Sequence, residues 1–155
     1  MIRPPAPTYA IVHDDLATVM VRDLVRGCLS DDWIARFHRA HGRAPVVKVM
    51  PPRQPSSVMI NPILLQKRVE AQLINSGRVV VVSAAEFVSR VERSDQLAHA
   101  RELGVPRRSL RPDFLITGHI TTPAVMPHPG QAFAISLQVV DIRTNQKVWM
   151  ARRSS

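Results

Sequence analysis

Cysteine is nearly absent from this chain. Cys28 is its sole example, which excludes an internal disulfide and any zinc site built on paired cysteines, without fixing the compartment. Its setting, "LVRGCLS", invites comparison with a lipid-acylated cysteine, but Arg26 beside it, Asp23 upstream, and Asp14 and Asp15 ahead of "LATVMV" are incompatible with a signal segment. Cys28 is expected as a small buried helix residue. Long apolar runs are also missing, and none approaches the roughly 18 residues a membrane-spanning helix needs. The opening "MIRPPAPTYA" has no apolar region of the secretory type, so the chain as given is read without a signal peptide.

Glycine numbers six, and neither GxGxxG nor GxxxxGKS/T occurs. Phosphate-binding loops need glycine because backbone amides must approach the ligand closely. Both strand-helix junctions fail that test: "VVSAAEF" has no glycine, and the prolines of "VMPPRQPSS" remove amide donors. A Rossmann or P-loop enzyme is excluded. Aromatic residues make up 5%, too few to interleave with basic residues as stacking platforms for nucleic acid. No serine lies in a GxSxG elbow. His38 and His41 sit three apart on an expected helix, with His119 and His128 distant, and no carboxylate completes a metal set. No catalytic residue, cofactor site or metal site is expected.

What the chain has is hydrophobic mass and positive charge. Hydrophobic residues are 45% of 155, enough for one domain with its own core. The net charge is +9, carried by 18 arginines and 3 lysines against 12 acids. Such a field favours anionic partners without saying which.

Residues 1–12, with three prolines, read as an extended lead-in to a single domain over 13–155. From Asp14, Leu16, Met20 and Leu24 recur at steps of four, with Val21 and Cys28 near that stripe, predicting a first helix weakened at Gly27. Ser30, followed by Asp31 and Asp32, reads as the N-cap of a second helix that ends at Gly42. Pro45–Met50 is a first strand, which "PPRQPSS" should end because prolines donate no ladder bond. Asn61 and Pro62 open a third helix with Ile63, Val69, Leu73 and Ile74 inward and Leu65 nearby, closed by Gly77. Arg78–Val82 is a second strand whose four valines suit burial on both faces. Ser83 and Glu86 form a capping box for a helix to about Arg93, followed by a separate helical piece, "DQLAHARELG". Asp113–Thr121 is a third strand, where Gly118 marks a bulge or a close backbone approach. Phe133 to Val140 alternates as a fourth, and a turn at Thr144 and Asn145 leads to a fifth ending near Ala151. Trp33 and Trp149 are expected in the core.

This order predicts an α/β fold: a single mixed sheet of about four to five strands, strand-helix-strand-helix-strand and then an antiparallel meander, flanked by helices. Right-handed crossovers are required. The informative surface cluster is Arg107, Arg108 and Arg111, placed near His119 if their loop folds back along strand three. A solvated loop is one reading; a protein-binding patch is the other, because arginine's planar fork suits carboxylates. Thr117 and His119 complete that expected protein-binding set.

The segments "DLATVMVRDLVRGCLSDDW", "APVVKVM", "INPILLQKRVEAQLINSGRVVVVSAAEF", "PDFLITGHI" and "FAISLQVVDIRTNQKVWMARR" together resemble the LpoB family of penicillin-binding protein activators. The layout is similar to the wider group that includes CsgG and the amino-terminal domain of TolB. The resemblance covers roughly residues 14 to 153 and rests on order and spacing, especially "LINSGRVVVVS" and "DIRTNQKVW". It implies a small sheet flanked by helices in a non-enzymatic outer-membrane lipoprotein facing the periplasm. It further implies docking on a bifunctional penicillin-binding protein, with peptidoglycan as an additional contact, no nucleic acid, a monomeric state, and membrane attachment only through a lipid anchor absent from this chain. Alternatives are an envelope or secretion-assembly lipoprotein of the CsgG-like kind and a basic nucleic-acid-binding module. The former would need extra membrane strands for a pore, for which no spare alternating segments exist. The latter would lose affinity steeply with salt. Two stretches depart from the family pattern, "PPRQPSSVMINP" after the first strand and the long "TPAVMPHPGQA".

Overall fold

A computed structural model describes residues 9–54, 60–82, 90–105, 111–121 and 133–154, with backbone alone at 9–14 and 90–95. Its elements are α1 (Tyr9–Ser30), α2 (Trp33–His41), β1 (Val46–Val49), α3 (Pro62–Ser76), β2 (Val80–Val82), α4 (Arg90–Glu102), β3 (Phe114–Thr121), β4 (Ala134–Asp141) and β5 (Gln146–Ser154). They form an α/β structure around one mixed sheet of order β2-β1-β3-β4-β5. β1 is parallel to both β2 and β3, while β3, β4 and β5 are antiparallel.

Going from β1 to β2 and from β2 back to β3 moves the chain in opposite directions across the sheet. Crossovers of one hand must then place their helices on opposite faces. That is observed. Leu65, Val69 and Leu73 of α3 pack with α1 against Val47, Val49 and Val81, whereas Ala100 of α4 meets Val46 and Val80 on the other side. The valine run is buried from both faces for this reason.

Several local expectations need correction. α1 begins at Tyr9, inside the stretch expected to be extended. Its buried stripe is Ala17, Met20, Val21, Leu24, Val25 and Cys28, and Leu16 is exposed. Ser30 is not an N-cap: it is the last residue of α1, and its hydroxyl donates to the Arg26 carbonyl at 2.7 Å. Asp32 occupies the N-cap position of α2 without a side-chain cap bond. In α3 the inward row runs Leu65, Val69, Leu73 at strict steps of four, which leaves Ile63 and Ile74 exposed. α4 passes unbroken through residue 93, where two helical pieces were expected. The capping box at Ser83 and Glu86 lies outside the described residues.

Other signals agree with the geometry. Asn61 accepts from the amides of Ile63 and Leu64 ahead of Pro62, and Gly42 and Gly77 close α2 and α3 at positive φ. At Gly118 the structure shows close approach: a Cβ would lie 3.1 Å from Leu137 Cδ2 and 3.3 Å from the Ser136 carbonyl oxygen. The bulge lies elsewhere, opposite Val139 and Val140, where β5 carries one extra residue. It lets the adjacent Val148 and Trp149 both pack against the core. Trp33 is fully buried and donates its indole N–H to the Cys28 carbonyl at 2.9 Å.

Burial pushes the Cys28 thiol up from 9.0 to about 12, a rise that the Trp33 hydrogen bond reduces and Asp31 reinforces. The folded chain thus holds this proton more tightly than the unfolded chain, so its contribution to stability is complete below pH 9 and is lost as pH rises towards 12. Wild type should lose roughly 1–2 kcal/mol relative to Cys28→Ala between about pH 9 and about pH 10.5. Urea unfolding of both proteins across that range measures it, and parallel curves would place the thiol in water.

A basic face on the sheet

The sheet has one face under α1 and α3, and on its other face α4 packs on β2. Among the described residues, no helix packs on the second face of β3, β4 and β5. The register lays this face out as rows. Lys48, Leu115, Val140 and Lys147 form one row across β1, β3, β4 and β5. Thr117, Gln138 and Met150 form the next, with the Gln138 amide donating to Thr117 Oγ1 at 2.8 Å. The third is Arg53, His119, Ser136 and Arg152.

Arg53 enters the third row because the proline segment does not leave the sheet for good. Pro51 and Pro52 interrupt the ladder, and Arg53 rejoins it. Its N–H donates to the Gly118 carbonyl at 3.0 Å, and its own carbonyl accepts from Ile120 N–H at 2.7 Å. Pro52 packs beside Gly118, its Cβ 3.4 Å from where a Cβ would stand, an ordinary contact distance. The stretch after β1 thereby delivers a cation to the face.

Four cations therefore frame a neutral centre. Lys48 and Lys147 stand on one row, Arg53 and Arg152 on another, and no carboxylate occupies any position of the three rows. At about 3.3 Å per residue and about 4.8 Å between strands, the frame measures roughly 13 by 14 Å. Within it lie His119, the Thr117–Gln138 pair and Met150, the last 62% exposed. Cation-rimmed and part apolar at the centre, the face is electrostatically suited to an acidic partner.

Of the residues expected from sequence, Thr117 and His119 lie on this face. Arg111 is exposed three residues ahead of β3, and His119 is the sixth residue of that strand. The loop expected to fold back along it lies outside the described residues. Arg107, Arg108 and His128 lie outside the described residues. Arg53, Lys48, Lys147 and Arg152 were missed, because register across strands distant in sequence brings them together. Lys48 and Lys147 lay within expected strands, while Arg152 lay just beyond the expected end of the last strand near Ala151.

Other basic clusters serve the fold. A groove of ≈ 420 Å³ is lined by His38, Arg39 and Arg78 over Ile34, Ala44 and Leu103. His38 and Arg39 occupy the last turn of α2, and Arg78 donates to the Leu29 carbonyl at the end of α1, so the two guanidinium groups stand at helix carboxyl ends. His41 stacks on Phe37 with ring centres 4.2 Å apart. Among the described residues no three histidine, cysteine or carboxylate side chains gather around a common point, and no helix is long and apolar enough to cross a membrane.

Comparison with known proteins adds the family. The model of the family described as peptidoglycan-synthase activator LpoB matches residues 16–154. The LpoB C-terminal domain from Escherichia coli is similar in structure, with a TM-score of 0.57 at 14% identity over 90% of this chain and 97% of that one. The Salmonella enterica domain has a TM-score of 0.50 at 16% identity over the same shares. An NMR structure of E. coli LpoB has a TM-score of 0.54 at 15% identity, covering 99% of this chain and 73% of that one. At these identities the structures speak for the fold. No curated protein sequence matches.

Proposed function

The chain belongs to the LpoB family of peptidoglycan-synthase activators, and from that membership we propose a non-enzymatic adaptor that docks on a bifunctional penicillin-binding protein and shifts it towards its active state. The observation that carries this reading is the basic face of β3, β4 and β5, which offers a partner a rim of cations around Thr117, His119 and Met150. Arg107, Arg108 and Arg111, which precede β3 in the sequence, would extend the contact. The adaptor works as a monomer in the periplasm, held to the outer membrane by a lipid anchor, where anionic peptidoglycan is an additional contact for the same charges.

Activation by docking requires the adaptor to bind the active state of the synthase more tightly than the resting one. Each tenfold preference is worth about 1.4 kcal/mol. Linkage makes the effect reciprocal. Adding the purified domain to the bifunctional synthase of the same organism should raise glycan polymerisation and peptide cross-linking saturably. A ligand that holds the synthase in one state should change its affinity for the domain. A flat dose response in both reactions would sink the proposal; stimulation without the reciprocal change would leave a scaffold and remove the allostery.

A further inference from the structure

β5 closes one side of the sheet, and among the described residues its ladder partner is β4. Alternate N–H and C=O groups along its nine residues point away from β4, towards no described strand. Natural edges are usually short or covered, because such a row is a template for strand pairing. At the opposite edge β2 has three described residues. β5 has nine. It is also held rigidly: Trp149 and Ala151 pack against the core, and the Arg153 guanidinium donates to the Asp23 carboxylate of α1 at 2.6 Å.

The charge on this edge selects the occupant. Gln146–Ser154 carries Lys147, Arg152 and Arg153 and no acidic residue. A second copy is disfavoured. Antiparallel pairing of two β5 strands about Met150, or about the peptide bond before it, sets Lys147 against Arg153 or Arg152, and like charges directly opposite are destabilising. An acidic extended segment turns the same positions into favourable cross-strand pairs.

We propose that β5 is a strand-addition site, taking an extended acidic segment of a partner protein as a sixth strand. Main-chain bonds supply the affinity, while Lys147 and Arg152 select acidic side chains. This recognition shares Lys147 and Arg152 with the basic face, but its main-chain bonds lie at the rim of the sheet, so protection of β5 amides distinguishes it from docking on that face.

The test is an NMR titration of the isotope-labelled domain, to millimolar concentration, with a short peptide alternating glutamate with threonine and valine. Amide exchange in β5 should slow by at least about tenfold at alternate residues and stay unchanged at those bonded to β4. A peptide of the same charge with N-methyl groups at alternate positions should lose the effect, as should one with lysine for glutamate. Absence of slowing in β5 would overturn the proposal. Equal binding of the N-methylated peptide would reduce it to ionic association, and slowing that appears without peptide as protein concentration rises would make the occupant a second copy.

Discussion

Replacing Asp113 with alanine is expected to cost about 3 kcal/mol, a large share of the stability of a domain this size. Asp113 stands just ahead of β3, and its two carboxylate oxygens do three things. They take both arms of the Arg43 guanidinium, at 2.9 and 3.0 Å, and Oδ2 also accepts the Val46 amide at 2.8 Å. Its main chain adds two bonds, donating to the Val46 carbonyl and accepting from Ile142. One residue thus ties α2's exit, the start of β1 and the end of β4 together. Alanine keeps the main-chain bonds but strands a fully buried amide at Val46 and a partly buried guanidinium. The amide alone costs about 1–3 kcal/mol. The pair contributes less than a deeply buried one would, because both side chains remain about a fifth exposed.

The hydrogen bonds to the Asp113 carboxylate push the Arg43 guanidinium up from its already high ordinary value, so Arg43 stays charged at any pH where the protein is handled. Thermal unfolding should show the alanine variant lower by roughly 6–12 °C. The milder change Asp113→Asn would keep an acceptor for Val46 and lose less. In an Arg43→Met background the alanine change should cost only the amide term. A loss below about 1 kcal/mol for Asp113→Ala would show that water replaces the carboxylate at the Val46 amide.

What could be read from sequence was the local chemistry. Asn61 with Pro62, the glycines after α2 and α3, the valine run and the alternation of β4 each state their role within a few residues, because caps and strand periods are short-range devices. Errors arose where a distant contact decides. Leu16, Ile63 and Ile74 look core-like by composition, yet the faces of α1 and α3 are set by where the sheet lies. Ser30 has the residue type and the acidic followers of an N-cap, but α1 runs through it and turns its hydroxyl back on Arg26. The proline run after β1 looked like an exit from the ladder, and only the main chain of β3, over sixty residues later, takes Arg53 back in. The site shares this property more strongly. Thr117 and His119 belong to one strand and could be named, whereas the cationic frame exists only once β1, β3, β4 and β5 are in register.

That frame carries the second large effect. Arg53→Glu with Arg152→Glu should raise the concentration needed for half-maximal stimulation of the synthase by about a hundredfold, equivalent to about 3 kcal/mol. Each reversal removes an attraction to an acidic partner and adds a repulsion, and the two positions flank His119 on one row. Folding should be untouched. Both side chains are exposed, among the described residues neither holds an ion pair, and the bonds of Arg53 to β3 are main-chain bonds. Salt separates charge from shape: stimulation by wild type should weaken as ionic strength rises, while the residual activity of the double variant should change little. The triple variant Arg107→Glu, Arg108→Glu and Arg111→Glu probes the far end of β3 and should also lose stimulation if the contact extends there. The pair of results assigns the surface. Full activity of the double variant together with loss in the triple would move docking off the sheet face to the β3 entry, and loss in the double with activity in the triple would confine it to the frame around Thr117 and His119.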